Sequence, residues 1–162
     1  METTKNKTTL LIMAAGMGSR FGSLKQLALL GPHKKTLLHY SIYDAVHAGF
    51  DKIVFIIRRS FENEFKEAVG KYAESLVETV YCFQEMDQLP GNLPPIQREK
   101  PWGTAHAIWA AKDHIHEPFI AINADDFYGR DAFVKMHDFV ASNTDERCFS
   151  LAGYRLAATL SE

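Results

Sequence analysis

Short apolar runs alternate along this chain with stretches in which apolar residues return at helical spacing. Residues 8–15 form a short, mostly apolar run that leads into glycine, the pattern of a fully buried strand. Thr36 is placed to cap a helix whose apolar positions Leu37, Leu38, Ile42, Ala45 and Val46 share one face, and Gly49 is placed to end it. Residues 52–58, with Ile53, Val54, Phe55, Ile56 and Ile57 in succession, predict a second buried strand. Ser60 opens a polar helix with Phe61, Phe65, Ala68 and Val69 on one side, and residues 76–83 predict a third strand.

Residues 84–103 contain Pro90, Gly91, Pro94, Pro95, Pro101 and Gly103, which only a loop accommodates. Thr104 is then expected to cap a helix through Ala105, Ile108, Trp109 and Ala111. A fourth strand is predicted at 119–123, a helix at about 131–140 and a fifth strand at 148–154. Strand and helix alternating in this way predict an α/β fold: a doubly wound, mostly parallel sheet in three α/β/α layers, Rossmann-like, with ligands at the carboxyl ends of the strands. Residues 1–162 show no internal repeat and no linker, so a single domain is expected. The last residues follow a predicted strand without a closing helix, and the expectation is a domain cut short at its C-terminal side.

Composition narrows the partners. With 46% hydrophobic and 23% charged residues, the chain is ordinary for a soluble protein, and no apolar run approaches the roughly 20 residues of a membrane span. The polar N-terminus is not a signal peptide. Cys82 and Cys148 stand alone in strand-like runs, so both are expected to be buried, reduced thiols in a cytoplasmic protein. A net charge of −2 without a basic cluster argues against nucleic acid. Small molecules or other proteins remain as partners, and association into a homo-oligomer is left open.

The chemistry concentrates at 10–26. Gly16, Gly18 and Gly22 let the backbone turn tightly and approach a ligand, while successive backbone N–H groups form a concavity suited to phosphate oxygens. Arg20 can grip such oxygens as a fork and Lys25 as a point charge. A plain turn accounts for the glycines but not for two cations among them. The spacing Gly-x-Gly-x-x-x-Gly departs from the dinucleotide fingerprint, and the second strand ends in Arg58-Arg59 instead of an acidic residue. The Gly-Lys-Ser/Thr ending of a P-loop is also absent.

Asp125 and Asp126 follow the fourth strand. Successive residues point opposite ways, so one of the two faces a ligand, where its carboxylate would suit magnesium; turn or capping chemistry is the other reading. Gly103 and Thr104 begin a helix whose N–H groups could meet a base or a phosphate, with Trp102 in core packing as the alternative. Gln84, at the end of the third strand, can offer its amide to a nucleobase. His106 is expected in packing or solvent, and His114 and His116 on the surface. No nucleophilic triad can be assembled from the sequence.

Ala14-Ala15-Gly16-Met17-Gly18-Ser19-Arg20, Lys25-Gln26-Leu27, Gly103-Thr104-Ala105-His106-Ala107, Asp125 with Phe127-Tyr128-Gly129, and Gly153-Tyr154 occur in an order that resembles the sugar-1-phosphate nucleotidyltransferases of the glycosyltransferase-A-like fold. The resemblance implies transfer of a nucleoside monophosphate from a nucleoside triphosphate to a sugar 1-phosphate, with pyrophosphate leaving, in nucleotide-sugar biosynthesis. It places the backbone of Ala14, Ala15 and Gly16 along the nucleoside and Gly18 along the phosphates. It makes Arg20 and Lys25 the catalytic cations, puts Gln84, Gly103 and Thr104 at the base, and gives magnesium to Asp125.

The sequence departs from that pattern in three ways. The loop 85–100 is longer and richer in proline, Leu24 stands where many relatives have proline, and the sugar-binding residues and second metal aspartate beyond the Gly-Tyr strand are missing. A cytidylyltransferase, a molybdopterin guanylyltransferase and a non-catalytic nucleotide-binding fragment remain as alternatives.

Overall fold

Four parallel strands organise the chain: β1 (Thr9–Met13), β4 (Lys52–Ile57), β5 (Glu78–Phe83) and β6 (Phe119–Asn123), with a small antiparallel ribbon of β2 (Leu29–Leu30) and β3 (Lys35–Thr36) between the first two. A computed structural model describes residues 7–16, 28–30, 32, 35–91, 102–143, 145 and 147–159. Among them the main sheet runs β5-β4-β1-β6, parallel throughout. Thr9 lies opposite Lys52 and Phe119, and Met13 opposite Ile56 and Asn123. The chain therefore builds outward from β1 to β5, then crosses back to the other side of β1. This reversal is the switch point at which doubly wound sheets bind ligands.

All six residues of β4 are buried, which explains a continuous apolar run where a one-sided strand would alternate. Ile53, Phe55 and Ile57 join Leu10 and Ile12 in one core, beneath Leu38, Ile42 and Ala45 of α1 (Leu37–Ala48), Phe65, Val69 and Ala73, and Phe133 of α5 (Arg130–Ser142). Val54, Ile56 and Leu11 point the other way, toward Ala107 and Ala111 at α4 (Thr104–Ala110). The expected three layers are present, with α4 facing the opposite side from the other helices. No helix among the described residues is long and apolar enough to cross a membrane.

Local chemistry sets the ends of α1. The Thr36 N–H donates to His39 Nδ1 (3.3 Å), and the Thr36 hydroxyl lies 2.8 Å from the same nitrogen. Burial and the nearby Lys35 charge hold the His39 imidazole below its ordinary pKa, consistent with an accepting nitrogen. Gly49 closes the helix at φ 112°, donating to the Ala45 and Val46 carbonyls, a conformation an L side chain would resist.

Three expectations are corrected. The helix predicted from Ser60 is composite: a 3-10 turn (Arg59–Phe61), α2 (Glu62–Phe65), a π turn (Lys66–Gly70) and α3 (Lys71–Glu74). Gly70 ends the π turn hard against β5, where an added Cβ would stand 2.2 Å from the Tyr81 hydroxyl. Thr104 does not cap α4; the cap position is Gly103, and Thr104 is its exposed first residue. Residues 148–154 form no strand among the described residues, and Phe149 and Leu151 are 89% and 98% exposed. Cys148 is accordingly exposed, whereas Cys82 is buried as expected and burial pushes its thiol up to about 11.

At the amino ends of the strands a buried ion pair joins three elements. Lys52 Nζ lies 3.0 Å from Glu117 and donates to the His114 carbonyl at 2.6 Å. Glu117 also accepts from the Thr9 hydroxyl and from the His116 N–H. Burial alone would raise the Glu117 carboxyl, but these donors and the Lys52 charge outweigh it and bring the pKa from 4.5 down to about 2.

Two predictions follow from these contacts. Because the folded pKa of Glu117 lies below the unfolded one, its contribution is present above pH 4.5 and is lost as the pH falls toward 2. Its size is on the order of 3 kcal/mol. Urea unfolding should show Glu117→Gln well below wild type at pH 6, with the gap narrowing steadily on acidification; a constant gap refutes the assignment. Gly70→Ala should cost about 1–3 kcal/mol. The Tyr81 ring stacks on Phe55 at 5.7 Å and its hydroxyl donates to Glu74 at 2.7 Å, so it cannot simply move aside. Adding Tyr81→Phe removes the clashing oxygen and should recover part of that loss in the double variant, a positive coupling readable in the same assay.

Candidate functional site

The register brings the carboxyl ends of all four strands to one edge. Ala14 N–H donates to Ile56 O (2.8 Å), Ala124 N–H to Met13 O (3.2 Å) and Gln84 N–H to Ile57 O (3.1 Å), each extending a strand by one rung. Across the edge the chain presents Gln84 after β5, Arg58 after β4, Ala14 to Gly16 after β1, and Asp125 just past the end of β6. Ala14 packs into one core and Ala15 into the other, while Gly16 is exposed. What this turn offers a ligand is backbone. Gly18, Arg20 and Lys25 lie outside the described residues.

Gln84 is buried, and it ties the end of β5 to the start of α4. Its Nε2 donates to the carbonyls of Trp102 (2.8 Å) and Gly103 (3.4 Å), and stands 3.2 Å from His106 Nδ1. His106 Nε2 lies 2.5 Å from the Gln88 carbonyl, and the Trp102 indole donates to the Met86 carbonyl at 3.0 Å. Five polar contacts thus fasten residues 84–88 to residues 102–106. Beside them Arg59 lies over the Phe83 ring at 4.0 Å and pairs with Glu85 at 3.1 Å.

The structure thus joins Gln84 to Gly103, at the cap position of the helix that Thr104 begins. His106 packs between the Trp102 and Trp109 rings, as expected, and also partners Gln84. One reading is corrected: Trp102 is half-buried with its N–H engaged and is not a core residue. Gln84 and His106 are 22 residues apart, across an irregular loop, and helical periodicity assigns no partner over such a distance.

At the far side of the edge the two aspartates differ. Asp126 accepts from Asn123 Nδ2 (2.8 Å) and from the Tyr128 hydroxyl (3.4 Å). That hydroxyl in turn accepts from the Asn123 N–H at 3.0 Å, and Tyr154 donates to the Tyr128 carbonyl at 2.9 Å. Burial comes first among the effects that raise the Tyr128 phenol pKa, with Asp126 adding to it. Gly129 then turns the chain into α5 at φ 78°, a left-handed conformation suited to glycine. Asp126 is therefore a structural acceptor within its own turn. Asp125, next to it, is exposed just past the end of β6. His114 and His116 are exposed, as expected.

A parallel sheet that reverses beside its first strand, with bare backbone at the reversal, an amide on one flank and a carboxylate on the other, has the architecture of the nucleotide-binding α/β proteins. The chain belongs to the nucleotidyl transferase family, whose model matches residues 9–156. It is 28% identical over 130 residues to UTP–glucose-1-phosphate uridylyltransferase of Bacillus subtilis (strain 168), covering 72% of this chain and 43% of that protein. It is 30% identical over 107 residues to the bifunctional protein GlmU of Staphylococcus haemolyticus (strain JCSC1435), covering 66% of this chain and 19% of that protein. The chain thus spans less than half the length of these relatives. Its fold also matches a UDP-glucose pyrophosphorylase solved with UDP-glucose, at TM-score 0.55 and 21% identity, over 82% of this chain and 53% of that one.

Proposed function

We propose that residues 1–162 are the nucleotide-binding domain of a sugar-1-phosphate nucleotidyltransferase, which transfers a nucleoside monophosphate from a nucleoside triphosphate to a sugar 1-phosphate. The observation that carries this reading is the shared edge: Gln84 bonded to Gly103, the small residues Ala14 to Gly16 and the Asp125 carboxylate all follow strand ends around one switch point. Family membership and the named relatives support it.

In this reading a sugar-1-phosphate oxygen attacks the α-phosphorus in line while the bond to the departing pyrophosphate breaks. Such a transfer asks the protein for alignment and charge compensation rather than a covalent intermediate. The backbone of Ala14, Ala15 and Gly16 lies along the nucleoside and Gly18 along the phosphates. Arg20 and Lys25 compensate the triphosphate charge. Gln84, Gly103 and Thr104 meet the base. The donor set fits a hard cation, because such ions take one or two carboxylates and complete their shell with substrate oxygens. Asp125 would hold magnesium, which when bound supplies charge neutralisation on the phosphate oxygens.

The test is calorimetric titration with nucleoside triphosphate, with and without magnesium, followed by a pyrophosphate-release assay with sugar 1-phosphates. Lys25→Ala and Asp125→Ala should each weaken magnesium-dependent binding and turnover, turnover by about a hundredfold or more, with folding intact. Asp126→Ala should instead lower stability by about 1 kcal/mol and leave the response to magnesium unchanged. Near-native behaviour of both Lys25→Ala and Asp125→Ala would remove the assignment. Binding without pyrophosphate release would favour a nucleotide-binding module.

A further inference from the structure

We propose that His106 is a positioning residue that fixes the amide of Gln84 with its oxygen outward, so that Gln84 meets a base only as a hydrogen-bond acceptor. This inference rests on the nucleotide-binding reading of the edge. It follows from the chemistry of the five groups that converge there.

Carbonyl oxygens accept and never donate. The Gln84 atom that faces the Trp102 and Gly103 carbonyls must therefore be the nitrogen. One of its hydrogens serves those carbonyls. The other is directed at His106 Nδ1, 3.2 Å away. His106 Nε2 faces the Gln88 carbonyl at 2.5 Å, so the ring hydrogen sits on Nε2. That leaves a lone pair on Nδ1, the acceptor Gln84 requires. The neutral ring with its hydrogen on Nε2 satisfies every partner at once.

The imidazole is also held from the sides. Trp102 and Trp109 have ring centroids 6.2 and 5.5 Å from it. Turning the Gln84 amide over would set its oxygen against the Trp102 carbonyl and abandon the bond to His106. Both nitrogen hydrogens are thus committed to the protein. The oxygen is the only hydrogen-bonding atom of the amide that these contacts leave uncommitted, on a residue that is 9% exposed.

An acceptor-only Gln84 discriminates between base edges. Uracil and thymine carry an N3–H that donates to it. Cytosine carries a bare N3 that repels it. A site whose buried polar group is left unpaired by the wrong ligand discriminates more strongly than one that merely fits by shape. The inferred ligand class is a nucleotide whose base has an imide N–H, and His106 enforces that choice without touching the base.

The experiment compares dissociation constants for UTP and CTP, each with magnesium, in wild type, His106→Leu and His106→Asn, alongside long-range 15N NMR of the His106 ring and the Gln84 amide signals. Wild type should favour UTP. His106→Leu, which removes the acceptor, should cut the UTP-to-CTP preference about tenfold or more. His106→Asn, whose side-chain oxygen can accept in place of Nδ1, should retain most of it. A merely structural role for His106 would weaken both nucleotides equally and leave the ratio unchanged, and that result overturns the proposal. So does equal binding of UTP and CTP by wild type. Should His106→Leu fail to fold, the wild-type spectrum decides: hydrogen on Nε2 and slowly exchanging Gln84 amide protons support the proposal, and hydrogen on Nδ1 alone refutes it. Failure of wild type to bind any nucleoside triphosphate overturns the functional reading and this inference with it, whereas selective binding that ignores His106 overturns this inference alone.

Discussion

The in-register, parallel pairing of β1 on both of its edges is the constraint from which the rest follows. With Met13 opposite both Ile56 and Asn123, whatever comes after Met13 must emerge between the ends of β4 and β6. The strand is also packed on both faces, Leu10 and Ile12 toward one core and Leu11 toward the other. A slip of one residue would exchange those faces, so the register is held by every buried side chain in the strand. The position of the glycine turn is thus a consequence of the core.

The two ends of this sheet use polar groups differently. At the amino ends Lys52, Glu117 and Thr9 satisfy one another, and the charges serve to fix β4, β1 and the entry to β6 in place. The hydrogen-bond donors around Glu117 and the Lys52 charge outweigh its burial and keep it ionised, and removing Lys52 would leave that charge uncompensated. At the carboxyl ends Gly16 and Asp125 are exposed, while Asp126 closes its own turn through Asn123 and Tyr128.

The link between residues 84–88 and 102–106 adds the second half of the edge. Its bonds run mainly to backbone carbonyls, so loop positions that carry no chemistry of their own still shape the site through their main chain. Gln84 lies at the centre of this link, its amide nitrogen bonded to the Trp102 and Gly103 carbonyls.

Strand and helix positions inside the cores were legible from the chain alone. Ile53 to Ile57, Leu38 with Ile42 and Ala45, and Gly49 at the helix end each bear a local signature: a continuous apolar run, a helical repeat, a residue tolerant of positive φ. The motifs around Gly16, Gly103 and Asp125 were legible for the same reason, since tight backbone approach and anion chemistry demand particular residue types close together. Tertiary structure decided the remainder. Residues 148–154 are rich in apolar residues yet form no strand and leave Leu151 in solvent, because strand propensity is decided by packing against neighbours and not by composition alone. The need for a glycine at position 70 depends on where Tyr81 lies in the neighbouring strand. The partnership of Gln84 with His106 joins residues 22 positions apart in sequence, which only the fold brings together. Periodicity reports which face of an element is buried; only the packed fold determines which polar groups are brought within bonding distance.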